Sequence, residues 1–165
     1  MAQRRMLTLH DEGRRFTCRV AGVALDAGFV LLHSDVIDDF WTLPGGRAEM
    51  GEDSQATLAR EMSEELAVDA KIGRLLFLVE NFFDYAGFAC HELLFIYEMH
   101  LPDHFPRNRG EVVHRLNEGA GMLDFRWVAT DPDSLAKVRL LPSFLRRQLG
   151  SLPNDVEHLI WSDRS

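Results

Sequence analysis

Apolar and polar residues alternate in short runs over the first third of the chain, and turn-forming residues separate the runs. This pattern is typical of strands, and we expect strands over residues 5–10, 16–25 and 29–33. An Asp-Ala-Gly turn at residues 26–28 separates the second run from the third, so these two runs are predicted to form a central hairpin. The Pro-Gly-Gly sequence at residues 44–46 then marks a sharp change of chain direction.

The apolar pattern changes to a helical period after Glu52. Leu58, Met62 and Leu66 recur at every fourth residue, which gives one apolar stripe that a helix would bury against the core. Asp53 precedes this stretch and is a residue type that caps helix N-termini well. The pattern therefore predicts an amphipathic helix with one packed side and another side that can face a pocket.

The second half of the chain returns to the pattern of strands. Two long apolar stretches flank a turn near residues 84–87. Residues 101–121 are polar and contain Pro and Gly, so we expect a long loop, with a helical turn around residues 111–116. Such a loop is a natural lid or specificity element. The other predicted elements are strands over residues 71–83, 91–100, 123–128 and 157–161 and a helix over residues 142–149.

Length and composition are those of a soluble globular protein. A chain of 165 residues can bury one sizeable core, so we expect residues 1–165 to form a single domain of the mixed α/β (α+β) class. No apolar run approaches the roughly 20 residues needed to span a bilayer. The N-terminus has a basic pair but no apolar region of the secretory type. These features predict a cytoplasmic protein that does not associate with membranes.

Charge and cysteine content narrow the choice of partner. The formal net charge of −8 disfavours binding to a nucleic acid polymer. It is compatible with a small phosphorylated substrate if a divalent cation supplies the attraction. Cys18 and Cys90 are far apart in the sequence and do not form a metal-type pair, so we expect two reduced, buried thiols.

Three glutamates of the predicted helix are the first candidate site. Glu61, Glu64 and Glu65 stand at i, i+3 and i+4, so a helix places all three carboxylates on one face. Like charges at these spacings repel by about 0.2–0.5 kcal/mol per pair. A bound cation would relieve the repulsion, and carboxylate oxygens suit Mg²⁺ or Mn²⁺. The competing interpretation is an acidic helix face in contact with water.

These glutamates belong to a longer pattern of residues at fixed spacing. The pattern consists of Gly46, Glu52, Arg60, Glu61, Glu64 and Glu65, with apolar residues at Met62 and Val68. It resembles the Nudix box of the Nudix hydrolase superfamily, which has a second glycine where this chain has Ala67. Because that glycine ends the helix in a turn, we expect an altered helix end rather than a lost site.

The resemblance implies a fold and a reaction. Nudix proteins have a mixed β-sheet between α-helices, and they hydrolyse a nucleoside diphosphate linked to another group. In the family, water attacks a phosphorus atom while box glutamates hold the divalent cation. The resemblance therefore predicts a Mg²⁺-dependent pyrophosphohydrolase, with Mn²⁺ as an alternative ion. Its substrate would be a small nucleoside diphosphate derivative or a nucleoside triphosphate, and the family's frequent dimerisation allows a homodimer.

The resemblance also suggests roles for box residues. Glu61 and Glu65 are expected to bind the metal, and Glu64 to complete the set. Glu52 is expected to add a ligand or orient water, although a carboxylate near a helix N-terminus is also favourable on its own. Arg60 is expected to fix the loop by pairing with a box carboxylate, or else to act only as the i,i+4 partner of Glu64.

The two glycines before the helix and the general base are less firmly assigned. Gly45 and Gly46 are expected to contact substrate through exposed backbone groups, with an ordinary turn as the competing interpretation. In the family the general base can come from the box or from a later loop. The candidates here are Glu52, Glu64 and Glu111.

Other substrate contacts are predicted from residues outside the box. Arg19 is a charge within an apolar strand, which calls for a bound phosphate or an internal salt bridge. Phe82 is our candidate for stacking a base, and Phe83 and Tyr85 are further candidates. The competing interpretations are a dimer contact and, for each residue taken singly, packing in the core. Two strand glutamates, Glu80 and Glu92, are considered as cleft residues, with exposure to solvent as the simpler expectation.

Two other functions stay open at this point. The chain could be a Nudix-fold module that senses a nucleotide without cleaving it, which the intact glutamate set disfavours. It could also be a structural domain whose acidic helix only faces water. A protein that binds neither Mg²⁺ nor Mn²⁺ near this helix would support that alternative. The sequence does not select among sugar nucleotides, dinucleoside polyphosphates, oxidised nucleotides, dinucleotide cofactors and plain triphosphates.

Overall fold

A computed structural model describes residues 4–119 and 121–165. Residues 1–3, which belong to the predicted domain, lie outside the described residues. Residue 120, which belongs to the predicted loop, also lies outside them. Ten strands and three helices follow one another along the described chain. The strands are β1 (Thr8–Asp11), β2 (Arg14–Val23), β3 (Leu25–Asp26), β4 (Phe29–Asp35), β5 (Gly45–Arg47), β6 (Lys71–Tyr85), β7 (Phe88–His100), β8 (Val112–Glu118), β9 (Gly121–Ala129) and β10 (Glu157–Ser162), and the helices are α1 (Ser54–Leu66), α2 (Pro132–Ala136) and α3 (Leu145–Gln148).

The strands form two sheets. The first has six strands in the order β1-β2-β7-β6-β10, with β5 also paired to β2. This sheet is mixed, because β2 runs parallel to β7 and β10 runs parallel to β6 while its other pairs are antiparallel. The second sheet has four antiparallel strands in the order β3-β4-β9-β8.

Helix α1 packs on one side of the sheets, as its apolar stripe predicts. Leu58, Met62 and Leu66 are all buried, and they join one core cluster with Val20 of β2 and Leu31 of β4. Burying three such side chains stabilises the helix by several kcal/mol, since each contributes about 1.5–3 kcal/mol. The packed stripe leaves the glutamate side of α1 free to face another part of the molecule.

The opposite side of the sheets carries the two short helices. Leu135 of α2 and Leu145 of α3 lie in a second core cluster with Ala21, Leu32 and Leu94. Neighbouring residues of β2 therefore point to different clusters, as the alternation of a strand requires. The mixed sheet lies between helices, which confirms the predicted α+β fold class.

The start and end of α1 follow from local chemistry. The Asp53 carboxylate accepts a hydrogen bond of 2.8 Å from the Ala56 N–H, which confirms the predicted N-cap. At the other end, Ala67 adopts the left-handed conformation, with φ 53° and ψ 37°, and its N–H donates to the Ser63 carbonyl. Ala67 thus ends α1 in the left-handed conformation that is usual for a glycine, so the altered helix end expected from the missing glycine is not found.

The predicted central hairpin is wrong. Strands β2 and β4 belong to different sheets: β2 pairs with β7, and β4 pairs with β9. Only the two-residue strand β3 forms a hairpin with β4, around a turn at Ala27 and Gly28, both of which have positive φ. An apolar run that is buried on both faces looks the same whichever sheet it joins, so pairing between distant segments decides its place.

The prediction of a loop over residues 101–121 is wrong for the second half of that range, and so is the predicted helical turn. Strand β8 (Val112–Glu118) occupies that half and pairs antiparallel with β9. The predicted helix over residues 142–149 is reduced to α3, and α2 was not predicted. The hairpin of β6 and β7 is confirmed, with its turn at residues 86–87, and so is the terminal strand β10.

Two further expectations concern thiols and membranes. Cys18 and Cys90 are both free thiols, with Cys90 buried and Cys18 partly exposed. Burial raises the pKa of the Cys18 thiol. Within residues 4–119 and 121–165, no helix is long and apolar enough to cross a membrane.

Candidate active site

The box glutamate Glu61 packs directly on the glycine turn that precedes its helix. A Cβ atom added to Gly46 would lie only 2.1 Å from Cδ of Glu61, so the carboxylate occupies the space that any side chain there would need. A Cβ added to Gly45 would lie 2.0 Å from the carbonyl oxygen of Val20. Only glycine fits at these two positions, because the Glu61 carboxylate lies against Gly46 and the backbone of β2 lies against Gly45.

Arg60 connects the box helix to the loop before it. Its Nε donates to Glu52 Oε1 at 2.8 Å, and its Nη2 donates to Glu52 Oε2 at 3.0 Å, which makes a two-point ion pair. Its Nη1 donates to Glu61 at 2.8 Å and to Glu64 at 3.2 Å, and Nη2 also reaches the Arg47 carbonyl at 3.2 Å. Arg60 thus makes the contacts that both suggested roles require, to the loop and to Glu64 four residues later.

The ion pair sets the protonation of Glu52. Hydrogen bonds from Arg60 lower the pKa of Glu52 to about 2, although partial burial opposes the shift. Thr57 also donates to this carboxylate, at 2.8 Å. A carboxylate with so low a pKa is a weak proton acceptor at neutral pH. Glu52 therefore suits the task of holding Arg60 better than that of a general base.

Glu61 and Glu65 lie together at the wall of a cleft. They are 8% and 6% exposed, and both line the same cavity. Burial raises the pKa of Glu61 even though Arg60 donates to it. Glu65 Oε2 lies 3.8 Å from Nδ1 of His33. Burial lowers the pKa of His33 to about 3, so this imidazole is neutral at pH 7.

Glu64 shares Arg60 with Glu61 but does not line the cleft. Its side chain is 40% exposed, and it accepts hydrogen bonds from Arg4 at 2.6 Å and from Arg60 at 3.2 Å. Within the described part of the chain, no three His, Cys, Asp or Glu side chains are arranged as a metal site. The structure thus brings Glu61 and Glu65 together, while Glu64 pairs with arginines.

The residues at the cleft wall fit a hard divalent cation. Glu61 and Glu65 supply carboxylate oxygens, the ligand type that Mg²⁺ and Mn²⁺ prefer. Burial disfavours the charged form of Glu61 more than its contact with Arg60 favours it, so the pKa of this carboxyl is raised. A divalent cation beside it would favour the ionised form. The backbone of Gly46, which Glu61 contacts, lines the same cavity.

The cleft itself has a volume of about 610 Å³, which is in the range of small-molecule sites. Arg19 of β2 lies in it, where its Nη2 donates to the Leu43 carbonyl at 3.2 Å and lies 3.4 Å from Nε2 of His33. The positive charge of Arg19 favours the ionised forms of Glu61 and Glu92, two other carboxyl groups of the cleft. Its guanidinium lines the cleft, where a phosphate could reach it.

The aromatic candidates divide between the two faces of β6. Phe83 and Tyr85 line the cleft. Phe82 points to the opposite face, where its ring stacks on His91 with centroids 4.5 Å apart and Arg164 lies over it. Because successive side chains of a strand alternate between faces, Phe83 rather than Phe82 is placed to contact a ligand in the cleft.

Of the three other candidate glutamates, one lies in the cleft and two lie outside it. Glu80 lies outside the cleft and accepts from His158 at 2.9 Å. Glu111 is exposed and is not among the residues that line the cleft. Glu92, for which exposure was the simpler expectation, is only 8% exposed and lies in the cleft.

Asn81 is a cleft residue that sequence reasoning missed, and it lies directly opposite Glu92 in the register of β6 and β7. A signal for this pairing was present in the sequence. A two-residue turn at residues 86–87 places Tyr85 opposite Phe88, and the same register then pairs Asn81 with Glu92.

Comparison with known proteins gives a family and a fold. Residues 16–140 match the family model of the NUDIX domain. A stretch of 52 residues is 42% identical to diphosphoinositol polyphosphate phosphohydrolase 2 of Rattus norvegicus and covers 32% of this chain. That match spans only 29% of the length of the rat protein.

Solved structures share the fold at low sequence identity. A UDP-X diphosphatase superposes with a TM-score of 0.59 at 20% identity, over 87% of this chain and 66% of that chain. A NUDIX hydrolase from Nitrosomonas europaea superposes with a TM-score of 0.60 at 18% identity, over 93% of this chain and 82% of that chain. At these identities the likeness shows a common fold alone.

Proposed function

This chain belongs to the Nudix family through residues 16–140, and from that premise we propose that it is a Mg²⁺-dependent pyrophosphohydrolase. Its substrate is a small nucleoside diphosphate derivative or a nucleoside triphosphate, and Mn²⁺ is the alternative ion. The observation that carries the proposal is the pair of buried carboxylates, Glu61 and Glu65, beside the backbone of Gly46 at the cleft wall. The rat relative that is 42% identical over 52 residues supports it by name, since that protein is a phosphohydrolase.

Each box residue has a task in this proposal. Glu61 and Glu65 hold the cation, and Glu64 is the third proposed ligand once it leaves its arginine partners. Mg²⁺, when bound, neutralises negative charge on the phosphate chain and makes water a better nucleophile. Arg60 and Glu52 keep the loop fixed against the helix, so that the two buried carboxylates stay in position.

Residues outside the helix bind and orient the substrate. Arg19 is proposed to hold a phosphate oxygen, since its guanidinium faces the cleft and a planar guanidinium matches phosphate geometry. Gly45 and Gly46 are proposed to contact the substrate through backbone groups that line the cleft, while Glu61 and β2 fill the space that their side chains would need. Among the proposed bases, Glu64 and Glu111 stay candidates, and neither lines the cleft. A single domain over residues 1–165, a homodimer and a cytoplasmic location also remain proposals.

The test is hydrolysis of a panel of nucleotides, with products identified by mass. The wild-type protein is expected to release phosphate-containing products only with Mg²⁺ or Mn²⁺. Glu61→Gln and Glu65→Gln should each lower kcat/KM by about 100-fold or more, the order of loss seen when charge stabilisation at a reacting centre is removed. Glu98→Gln is the matched control, because Glu98 pairs with Arg74 away from the cleft.

Three outcomes decide between the functions. Undiminished turnover by both variants, with unchanged unfolding midpoints, would overturn the metal assignment. Nucleotide binding by the wild type without any product would instead support the sensing module. Failure to bind either cation would favour a structural domain.

A further inference from the structure

A row of three buried polar side chains crosses the first sheet at the cleft, and two of them, Glu92 and Asn81, line the cleft. Thr17 of β2, Glu92 of β7 and Asn81 of β6 lie side by side in the register of the first sheet. All three are at least nine-tenths buried, with 7%, 8% and 4% of their surfaces exposed, respectively. The row contains none of the proposed metal ligands and makes no hydrogen bond to the Arg60 network in the described structure.

The row has more acceptors than donors. Thr17 Oγ1 donates to Glu92 at 3.5 Å and Asn81 Nδ2 donates to it at 3.3 Å, and both hydrogen bonds are long. Each carboxylate oxygen can accept further hydrogen bonds. In the described part of the chain, Asn81 Oδ1 is buried without a hydrogen-bond partner. Three buried acceptor oxygens on the cleft floor therefore have unused capacity.

Buried acceptors without donors are costly to the folded protein, so their presence calls for a ligand that supplies the donors. Burial also raises the pKa of Glu92, although Arg19, Asn81 and Thr17 oppose the shift. A ligand that donates two or more hydrogen bonds to the carboxylate would complete the site.

The surroundings of the row suit a flat ring. Phe83 and Tyr85 follow Asn81 on the same face of β6, and Leu94 follows Glu92 on the same face of β7. Aromatic and aliphatic side chains beside a hydrogen-bonding group are typical of sites that stack a planar ligand and orient it by its edge. A sugar fits less well, because each hydroxyl also needs a donor and the row offers mostly acceptors.

We propose that Glu92 and Asn81 bind the donor edge of a guanine-type base, and that the cleft therefore selects guanine nucleotides. Guanine presents N1–H and an exocyclic 2-amino group side by side, which matches two carboxylate oxygens and the neighbouring amide oxygen. Hypoxanthine lacks the 2-amino group. Adenine presents a ring nitrogen that would face an acceptor, an arrangement that leaves buried polar atoms unpaired. This inference deepens the proposed function and rests on it.

The test measures binding of GMP, IMP and AMP by isothermal titration calorimetry. These monophosphates contain no pyrophosphate bond, so the result does not depend on hydrolysis. Wild-type protein is expected to bind GMP about 10-fold or more tightly than IMP or AMP. Glu92→Gln replaces one acceptor oxygen by a donor, and it should reduce the preference to about twofold or less.

Glu98→Gln is the matched control on the same strand and should keep the wild-type preference, since Glu98 pairs with Arg74. Equal affinity of the wild-type protein for the three monophosphates would overturn the inference, and this result needs no variant to fold. An unchanged preference in Glu92→Gln would also overturn it. Loss of hydrolysis in Glu61→Gln tests the proposed function separately, so the two can fail independently.

Discussion

At the scale of single residues, Ala67 carries a conformational cost that the family's glycine would not. An alanine with φ 53° lies in the left-handed region, where its Cβ crowds the following carbonyl. The end of α1 nevertheless keeps its hydrogen bond from Ala67 N–H to the Ser63 carbonyl, at 3.1 Å. The turn therefore forms against the conformational preference of alanine.

Ala67→Gly is expected to stabilise the protein by about 0.5–1 kcal/mol, because glycine adopts this conformation freely but loses more entropy on folding. The measurement is the free energy of unfolding from chemical denaturation. Ala59→Gly is the matched control: it lies inside the same helix and should destabilise the protein by about 1 kcal/mol. A destabilised Ala67→Gly variant would show that the left-handed alanine carries no strain.

Gly46 leads to a second prediction about a single residue. Gly46→Ala places a methyl group 2.1 Å from the present position of Glu61 Cδ, so the carboxylate must move. We expect kcat/KM to fall about 100-fold, as for loss of the carboxylate, with a stability loss of about 1–3 kcal/mol from overpacking. Gly150→Ala is the control, since its nearest contact would be an ordinary 3.4 Å. Wild-type kinetics in Gly46→Ala would contradict the proposed position of Glu61.

At the scale of elements, the ion pair of Glu52 and Arg60 fastens the glycine loop to α1. The pKa of Glu52 falls from an ordinary value of 4.5 to about 2 in the folded protein. The stabilisation is therefore complete above about pH 5 and is lost as the pH falls through 2. A shift of this size corresponds to about 3–4 kcal/mol at neutral pH. Because the ion pair is only partly buried, screening by water reduces the expected contribution to about 2–3 kcal/mol.

Glu52→Gln should accordingly cost about 2–3 kcal/mol at pH 7 and almost nothing near pH 2. The measurement is the difference in unfolding free energy from the wild type at several pH values, with EDTA present. Glu98→Gln should cost less than about 1 kcal/mol at every pH, since its ion pair is partly exposed. A cost for Glu52→Gln that does not change between pH 7 and pH 2 would show that the ion pair is not its source.

The elements also show how far the sequence could predict this fold. Helix α1 and its N-cap were predicted because the signals, Asp53 and an apolar residue at every fourth position, lie within one short segment. The partner of β2 could not be predicted, because its apolar run is buried on both faces and pairs with β7, about 70 residues later. Strand β8 was missed because its polar residues resemble a loop until β9 pairs with it.

At the scale of the whole molecule, the site joins segments that are distant in the chain. The box predicted Glu61 and Glu65 because its spacing is local. The cleft also contains Arg19 from β2 and the pair of Asn81 and Glu92 from the long hairpin. Their approach to the box depends on the parallel pairing of β2 with β7, which no local pattern encodes. The reaction class was therefore more predictable than the residues that line the rest of the cleft.

Binding of Mg²⁺ should stabilise the whole protein, because the folded state holds two buried carboxylates together and the unfolded chain does not. Stabilisation grows as RT ln(1 + [Mg²⁺]/Kd), which is about 2.7 kcal/mol at 100 times Kd. We expect the unfolding midpoint to rise with Mg²⁺ at fixed ionic strength in the wild type and in Glu98→Gln, and to stay constant in Glu61→Gln. A general screening of the net charge of −8 would instead raise all three midpoints equally. An equal rise of the unfolding midpoint in Glu61→Gln would mean that Mg²⁺ acts by screening surface charge and not by binding to Glu61. That result would overturn the metal assignment without any measurement of turnover.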